Sequence, residues 1–278
     1  MTTGNDLHVH SNESDGQLSP ELLIDAAIGN GVSVIALCDH DTTAGAKRFK
    51  QYGQSRGINA LSGIELSAKW KGGNCHLLGI NVSDEYEPLE AVLRKTRESR
   101  DRRNDLILEK LAEQGISISA EQLLNEAGGE VVARPHIAYA LMRAGYVKSF
   151  QEAFDKYLSS GGAAYVDRFR LDPIEAVKLL RDAGAFAVLA HPRQLCLEKA
   201  GLFDLLLELR KAGLQGVEVY SPDTTDEQIQ LYKEMSAALG LVQTGGSDFH
   251  APGQGGRDLG HYRPSVTIPK ITIPELGV

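Results

Sequence analysis

Positive charge is in short supply in this chain: 29 lysines and arginines face 37 acidic residues, a net charge of -8 over 278 residues. That balance excludes the broad electrostatic footprint of a duplex nucleic-acid binder. Cysteine is scarce as well. The three present, Cys38, Cys75 and Cys196, lie in unrelated settings, so a disulfide framework is excluded. No apolar run approaches the roughly 20 residues that cross a bilayer. Met1 leads through a polar tetrapeptide to a strand-like run, without the basic-then-apolar layout of a signal peptide. Internal repeats and low-complexity tracts are missing too. A cytoplasmic protein with no membrane and no duplex DNA as partner is the expectation, and nothing in the sequence sets an oligomeric state.

Apolar residues make up 42% of the chain, enough to bury the core of one barrel-sized domain or of a domain carrying a smaller insertion. Short β-branched runs alternate with helical segments, the pattern of βα units around a parallel sheet. Asp6 to His10 predicts a strand, Pro20 to Asn30 a helix begun by Ser19 and Pro20 and stopped by Gly31, and Val32 to Cys38 the next strand. Ala60 to Ser67 and Cys75 to Val82 predict two more, with the loop Trp70 to Asn74 between them and no long helix. From Pro88 to Tyr157 the spacing turns helical amid dense charge, through Leu89, Val92, Leu93, Leu106, Leu108 and Leu111. Residues 87–164 therefore read as a helical insertion, and residues 1–86 with 165–278 as the barrel-like part. Strand-like runs return at Ala185 to Ala190, Gly216 to Tyr220 and Leu241 to Thr244, each after an amphipathic helix. About seven strands result, which fits an incomplete or distorted α/β barrel better than a regular eightfold one. Ala251 to Gly260, with Pro252, Gly253, Gly255 and Gly256, reads as a loop over the site.

Seven of the eight histidines sit at or near the ends of apolar runs, and three of them, His8, His40 and His250, lie within two residues of an aspartate. In a strand, side chains two apart face the same way, so His8 and His10 can grip one ion together. Taken alone, that pair reads equally well as two buried, hydrogen-bonded histidines. What favours metal is accumulation. Asp15 follows in a polar loop, Asp39-His40-Asp41 ends the second strand, Glu65 ends the third, His76 opens the fourth, His191 ends a fifth, and Ser247-Asp248-Phe249-His250 closes the last. Six imidazoles and the carboxylates of Asp15, Glu65 and Asp248 exceed what one ion accepts, so two or three ions sharing carboxylates are expected, with Glu65 the preferred bridge. Histidine and carboxylate ligands suit Mn, Fe and Zn alike. Asp39 is expected to fix the tautomer of His40, and Asp41 to cap the following helix.

These segments, DLHVHSNESDG (Asp6 to Gly16), ALCDHDT (Ala36 to Thr42), GIELSA (Gly63 to Ala68), CHLLGI (Cys75 to Ile80), LAHP (Leu189 to Pro192) and GSDFH (Gly246 to His250), resemble the PHP (polymerase and histidinol phosphatase) family, and within it the small nucleotide phosphoesterases. The resemblance covers nearly the whole chain and implies a distorted (β/α)7 TIM-like barrel with a helical insertion domain. It implies a trinuclear centre: one ion on His8, His10, Glu65 and Asp248, a second on Glu65, His76 and His191, a third on Asp15, His40 and His250. VVARPHIAYAL (Val131 to Leu141) looks like the substrate lid of this branch, with Arg134 and His136 binding a substrate phosphate. Pro135 at a helix start leaves free backbone N–H groups there, and arginine is a bidentate phosphate donor. Without the resemblance, Arg134 reads more simply as a surface arginine near a helix end. Many relatives carry Lys-Pro before the Tyr-Val that follows the insertion, where this chain has Gly161-Gly162-Ala163-Ala164, and Gly-Arg after His-Pro, where it has Arg193-Gln194. One basic phosphate contact is therefore missing and another displaced.

Other residues read plainly. His261 is expected at the surface, the run Arg94 to Arg103 as a solvated helix face, and Trp70 and Tyr220 in packing or loop-anchoring roles. Cys38 and Cys75 adjoin ligand residues on strands and should point away from the metals.

The resemblance implies hydrolysis of nucleotide phosphomonoesters by a metal-bridging hydroxide, most specifically the 3′-phosphate of nucleoside 3′,5′-bisphosphates, with an AMP-like nucleotide and phosphate as products. The alternative within this chemistry is 5′-3′ exonuclease action on short 5′-phosphorylated RNA. An amidohydrolase-type deaminase or amidase also begins with His-X-His, but gives Asp15, His40 and His250 no purpose. A non-catalytic module usually loses ligands, and none is missing here.

Overall fold

The structure, a computed structural model, describes residues 4–70, 74–83, 85–127, 132–222, 224–253, 257–263 and 265–278. Val131 of the lid motif, residues 71–73 of the predicted loop, and Gly255 and Gly256 lie outside the described residues.

Apolar runs become strands and capped amphipathic segments become helices, in the order β1 (Asn5–Val9), α1 (Pro20–Gly29), β2 (Val34–Leu37), α2 (Ala46–Arg56), β3 (Asn59–Leu61), β4 (Gly63–Ala68) and β5 (Cys75–Ile80). Ser19 caps α1 by accepting from the Leu22 N–H, and Gly31 takes a left-handed φ of 72° just past its end, a conformation open to glycine at no steric cost. Then come α3 (Glu87–Ala112), α4 (Ala120–Ala127), α5 (Arg134–Arg143), α6 (Phe150–Ala153), α7 (Pro173–Asp182), β6 (Phe186–Leu189), α8 (Lys199–Ala212), β7 (Gly216–Tyr220), α9 (Asp226–Leu239) and β8 (Val242–Gly245). Two short strands, β9 (His261–Arg263) and β10 (Val266–Thr267), form an antiparallel pair.

The fold is mixed α/β with mostly parallel sheets. One sheet runs β1-β2-β3, all parallel; the other runs β4-β5-β6-β7-β8. Strand β5 is antiparallel to both β4 and β6, whereas β6, β7 and β8 are parallel. The single strand expected over Ala60 to Ser67 is two: β3 pairs with β2 while β4 pairs with β5, and the chain changes sheet at Ser62. Isolated parallel bridges join Val9 to Phe249 and His40 to Glu65. Along β2, Ile35 and Leu37 pack with Leu23, Ile24 and Phe49, while Ala36 and Cys38 pack with Leu61, Leu78 and Val188, so alternation fills both faces.

The chain divides into two compact units, Met1–Glu90 with Arg170–Val278, and Ala91–Phe169. The second has its own core, built on Ile107, Leu111, Ile137, Leu141 and Leu158. The solvated face expected over Arg94 to Arg103 is present at Arg94, Lys95, Glu98, Asp101 and Arg102, which are exposed, but the run also has a buried side. Leu93, Thr96, Arg100 and Arg103 form a buried stripe at helical spacing, and the Arg103 guanidinium donates from Nη2 to Asn104 Oδ1 at 2.7 Å. No described helix is long and apolar enough to cross a membrane.

Candidate metal centre

One edge of the first unit collects nearly all the residues singled out for chemistry. Strands β1, β2, β6 and β8 deliver His10, His40, His191 and Asp248 just past their C-terminal ends, with His8 inside β1. Because β5 runs the other way, its beginning lies at that same edge. His76 accordingly pairs with Ser67, and its carbonyl accepts from the Ala190 N–H at 3.1 Å. Glu65 lies within β4, bridged to His40.

The donor atoms fall into three groups sharing members. His8 Nε2 and His10 Nε2 are 3.1 Å apart, and both face Glu65 Oε2, at 3.3 and 3.2 Å. Asp248 Oδ1 joins them, 3.7 Å from His8 Nε2 and 3.2 Å from His10 Nε2. The other oxygen, Glu65 Oε1, stands 2.8 Å from His76 Nδ1 and 2.9 Å from His191 Nε2, and these two nitrogens are 3.3 Å apart. Asp15 reaches His250 Nε2 at 3.3 Å and His40 Nε2 at 3.8 Å, with His10 Nδ1 4.0 Å away. Three sets could each hold a cation: His8, His10, Glu65 and Asp248; His10, Asp15, His40 and His250; His40, Glu65 and His76. His10 and His40 thus each belong to two sets, and His191 adds its nitrogen beside Glu65 Oε1.

The chemistry of these donors fits divalent ions. Atoms bound at about 2.0–2.2 Å to one ion stand about 2.8–3.6 Å apart in octahedral or tetrahedral arrangement, and most of the separations above fall there. Glu65 Oε2 lies 3.0 Å from His40 Nδ1, yet neither atom has a hydrogen-bond partner, and buried His10 Nδ1 has none either. Buried polar atoms without partners are costly. Several donor atoms converging without hydrogen bonds to satisfy them is an arrangement that a cation satisfies.

Charge follows the same logic. Burial works against ionising Glu65, but His40, His76 and His8 outweigh it and hold its carboxyl well below the usual range. Asp15 is lowered against burial by His40 and His250, and Asp248 by its bond to His10 and the charge of His250. Burial likewise opposes charge on His8, but Glu65 and Glu218 raise its pKa well above the ordinary value; His10, against Asp248 and Glu65, is raised to about 10. His40 is pushed down to about 4, mainly by burial. Three buried carboxylates remain anionic, and protons on imidazoles balance them where metal cations would.

Behind the donors lies a layer the sequence reading only partly caught. Asp39 does not reach the His40 ring. Its carboxylate accepts from Ser11 N–H (2.8 Å), Ser11 Oγ (2.6 Å) and Ser14 Oγ (2.6 Å), fastening the loop that carries Asp15, and burial raises its pKa to about 6. Asp41 is not a helix cap either: Gly45 occupies the cap of α2, and Asp41 accepts from the Ser67 N–H at 3.0 Å. Asp6 accepts from Ser247 N–H, Ser247 Oγ and Gly260 N–H at 2.9, 2.6 and 2.8 Å, holding the turn that bears Asp248. That turn has Asp248 at a φ of 48°, and His191 sits at 25°, sparsely populated backbone of the kind found at functional sites.

Besides Asp6, two further residues of this layer were missed. Glu218 accepts from His8 Nδ1 at 3.1 Å and from the His191 N–H at 2.7 Å. Arg257 donates to Asp248 Oδ2 at 2.6 Å. A lone acid in the apolar run Gly216 to Tyr220 was a readable signal, because a buried carboxylate must be partnered. An arginine in a glycine-rich loop gave none.

Arg134 and His136 belong to the second unit. Arg134 opens α5 and donates to the Leu158 carbonyl at 3.1 Å, with its guanidinium 5.9 Å from the Phe154 ring centre. His136 is buried, and its Nδ1 accepts from the Ala133 N–H at 3.1 Å. Cys38 Sγ is directed at the Leu7 carbonyl in the core, and Cys75 is buried. His261 is half-buried and faces the Leu259 carbonyl, Trp70 Nε1 anchors its loop on the Leu195 carbonyl, and Tyr220 packs against Tyr262.

The chain is similar to several known proteins along most of its length. The PHP domain model matches residues 6–167. A 3′,5′-nucleoside bisphosphate phosphatase of Chromobacterium violaceum is 34% identical over 277 residues, covering 97% of this chain and 94% of that protein. A 5′-3′ exoribonuclease of Haemophilus influenzae is 34% identical over 252 residues, covering 91% of this chain and 92% of its own. Among solved structures, that of an amidohydrolase from Chromobacterium violaceum with bound sulfate and no metal superimposes with a TM-score of 0.85 at 32% identity, covering 96% of this chain and 94% of that one.

Proposed function

The chain belongs to the PHP domain family, and from that membership we propose that it removes the 3′-phosphate from nucleoside 3′,5′-bisphosphates at the centre on its first unit. It is a hydrolase of phosphoric esters, as its phosphatase and exoribonuclease relatives are. The observation that carries the reading is Glu65, whose two oxygens face five imidazoles within 3.3 Å while one of them has no hydrogen-bond partner.

On this reading two or three divalent ions, Mn, Fe or Zn, are held by His8, His10, Glu65 and Asp248, by Glu65, His76 and His191, and by Asp15, His40 and His250. When bound, such ions lower the pKa of a water, neutralise phosphoryl oxygens and stabilise a leaving alkoxide. The chain's own groups do the rest. His8, His10 and Glu65 are shut off from bulk water, whereas the His40, His76 and His250 side chains are 18%, 17% and 18% exposed and form the face a phosphate reaches. Asp39 and Asp6 keep Asp15 and Asp248 aimed inward. Arg134 and His136, on an insertion over residues 87–164, serve as a lid that binds the 5′-phosphate; their place in the first turn of α5, at the positive end of the helix dipole, supports this.

The bridges Val9–Phe249 and His40–Glu65 support closure of the two sheets into a distorted sevenfold barrel. The working compartment is the cytoplasm, and the partners are small nucleotides, an AMP-like product and phosphate. A second reading, 5′-3′ exonuclease action on short 5′-phosphorylated RNA, is favoured by the exoribonuclease relative. A deaminase or amidase reading leaves the Asp15, His40 and His250 group idle. Rates on a nucleoside 3′,5′-bisphosphate, a nucleoside monophosphate and a 5′-phosphorylated trinucleotide, measured side by side, decide among these. Fastest turnover of the bisphosphate is expected, and a faster trinucleotide overturns that in favour of the exonuclease.

A further inference from the structure

Glu218 lies in the middle of β7, wholly buried, and its carboxylate touches two different donor groups of the centre. Oε1 accepts from His8 Nδ1 at 3.1 Å; Oε2 accepts from the backbone N–H of His191 at 2.7 Å. His8 presents its other nitrogen to His10 and Glu65, and the His191 backbone is bent to φ 25° and ψ 68°. The fit beneath is close: a Cβ on Gly246 would stand 2.2 Å from His8 Cβ and 2.9 Å from Glu218 Oε1. A neutral imidazole carries its proton on one nitrogen, and the partner of that nitrogen decides which.

We propose that Glu218 is the positioning residue that keeps the His8 proton on Nδ1, freeing Nε2 for a metal ion, and that the same carboxylate holds the turn that presents His191. The inference rests on the metal-centre reading above. It singles out one substitution. Both neighbours of Glu218 are donors, so both its oxygens must accept; glutamine keeps the shape but offers only one accepting oxygen. The His191 amide cannot give up its proton. In Glu218→Gln the carboxamide oxygen therefore serves His191 and the NH2 faces His8, drawing the ring into the Nε2–H tautomer and covering the atom that would bind metal.

The test compares full-length wild type and Glu218→Gln, both equilibrated against buffered Zn2+ as the probe ion and labelled with 15N-histidine. In zinc-loaded wild type, His8 is expected to show a protonated Nδ1 and a metal-shifted Nε2. In the variant, the His8 proton moves to Nε2 and zinc affinity falls by about 10- to 100-fold, as for other groups that orient a metal-bound histidine. If the variant folds and loads zinc as tightly as wild type with Nδ1 of His8 still protonated, Glu218 is merely part of the core and the proposal falls. If the variant fails to fold, the wild-type spectrum decides alone: zinc on Nδ1 of His8, or a proton on Nε2, overturns it. A wild type that takes up no zinc overturns the metal-centre reading itself, a distinguishable result.

Discussion

Asp248 divides its carboxylate between two neighbours: Oδ2 accepts from Arg257 at 2.6 Å, while Oδ1 lies 3.2 Å from His10 Nε2. A carboxylate tethered on one oxygen can give only the other to an ion. Arg257→Ala should release that tether and weaken metal retention by about 10- to 100-fold, measured by competition with a chelator. Arg257→Lys keeps the charge but not the planar geometry, so it should restore only part of the loss. Unchanged retention in both variants would sink this role.

Glu65 is shared among donor groups and Asp15 belongs to one, so the two should differ in metal content. Glu65→Gln is expected to lose more than one ion per chain and at least about 100-fold in turnover, Asp15→Asn about one ion. Elemental analysis of loaded protein reads this directly. Content near one ion per wild-type chain would refute the multi-ion reading and favour an amidohydrolase-type centre.

Gly246 has no room for a side chain, since a Cβ there would meet His8 and Glu218. Gly246→Ala should cost about 1–3 kcal/mol and lower Tm by several degrees in thermal unfolding. An unchanged Tm contradicts the close packing.

Thiol chemistry separates the cysteines. Cys196 is exposed, while Cys38 and Cys75 are buried, with burial raising both pKa values, that of Cys75 to about 12. The thiolate is the reactive form. A disulfide reagent at pH 8 should therefore titrate one thiol in the folded protein and three after denaturation. A folded pKa above the unfolded one means the stability tied to the Cys75 proton is intact below the ordinary thiol value of 9.0 and is lost as pH climbs toward about 12. Chemical denaturation of wild type and Cys75→Ser across that window measures it; a pH dependence identical in both removes the assignment.

The parts legible in the sequence were those with short-range signatures. Ligand residues stood at the ends of apolar runs, and the first helix start carried Ser19 and Pro20. What escaped depended on partners far along the chain. The break at Ser62 follows from β3 and β4 choosing different neighbours, which local propensity does not record. Asp39 sits beside His40 in sequence, yet its lone pairs are taken by Ser11 and Ser14, 28 and 25 residues earlier. The reversal of β5 was equally hidden, although it explains how a residue at the start of a strand meets residues at the ends of others.

The bonds from Ser11 and Ser14 to Asp39 use none of the proposed ligand atoms. The loop bearing Asp15 is thus stapled independently of anything it holds, and the pocket is a ready-made socket. Ions bound there should leave and return without refolding, so chelation should be reversible and the identity of the resident metal should follow its supply.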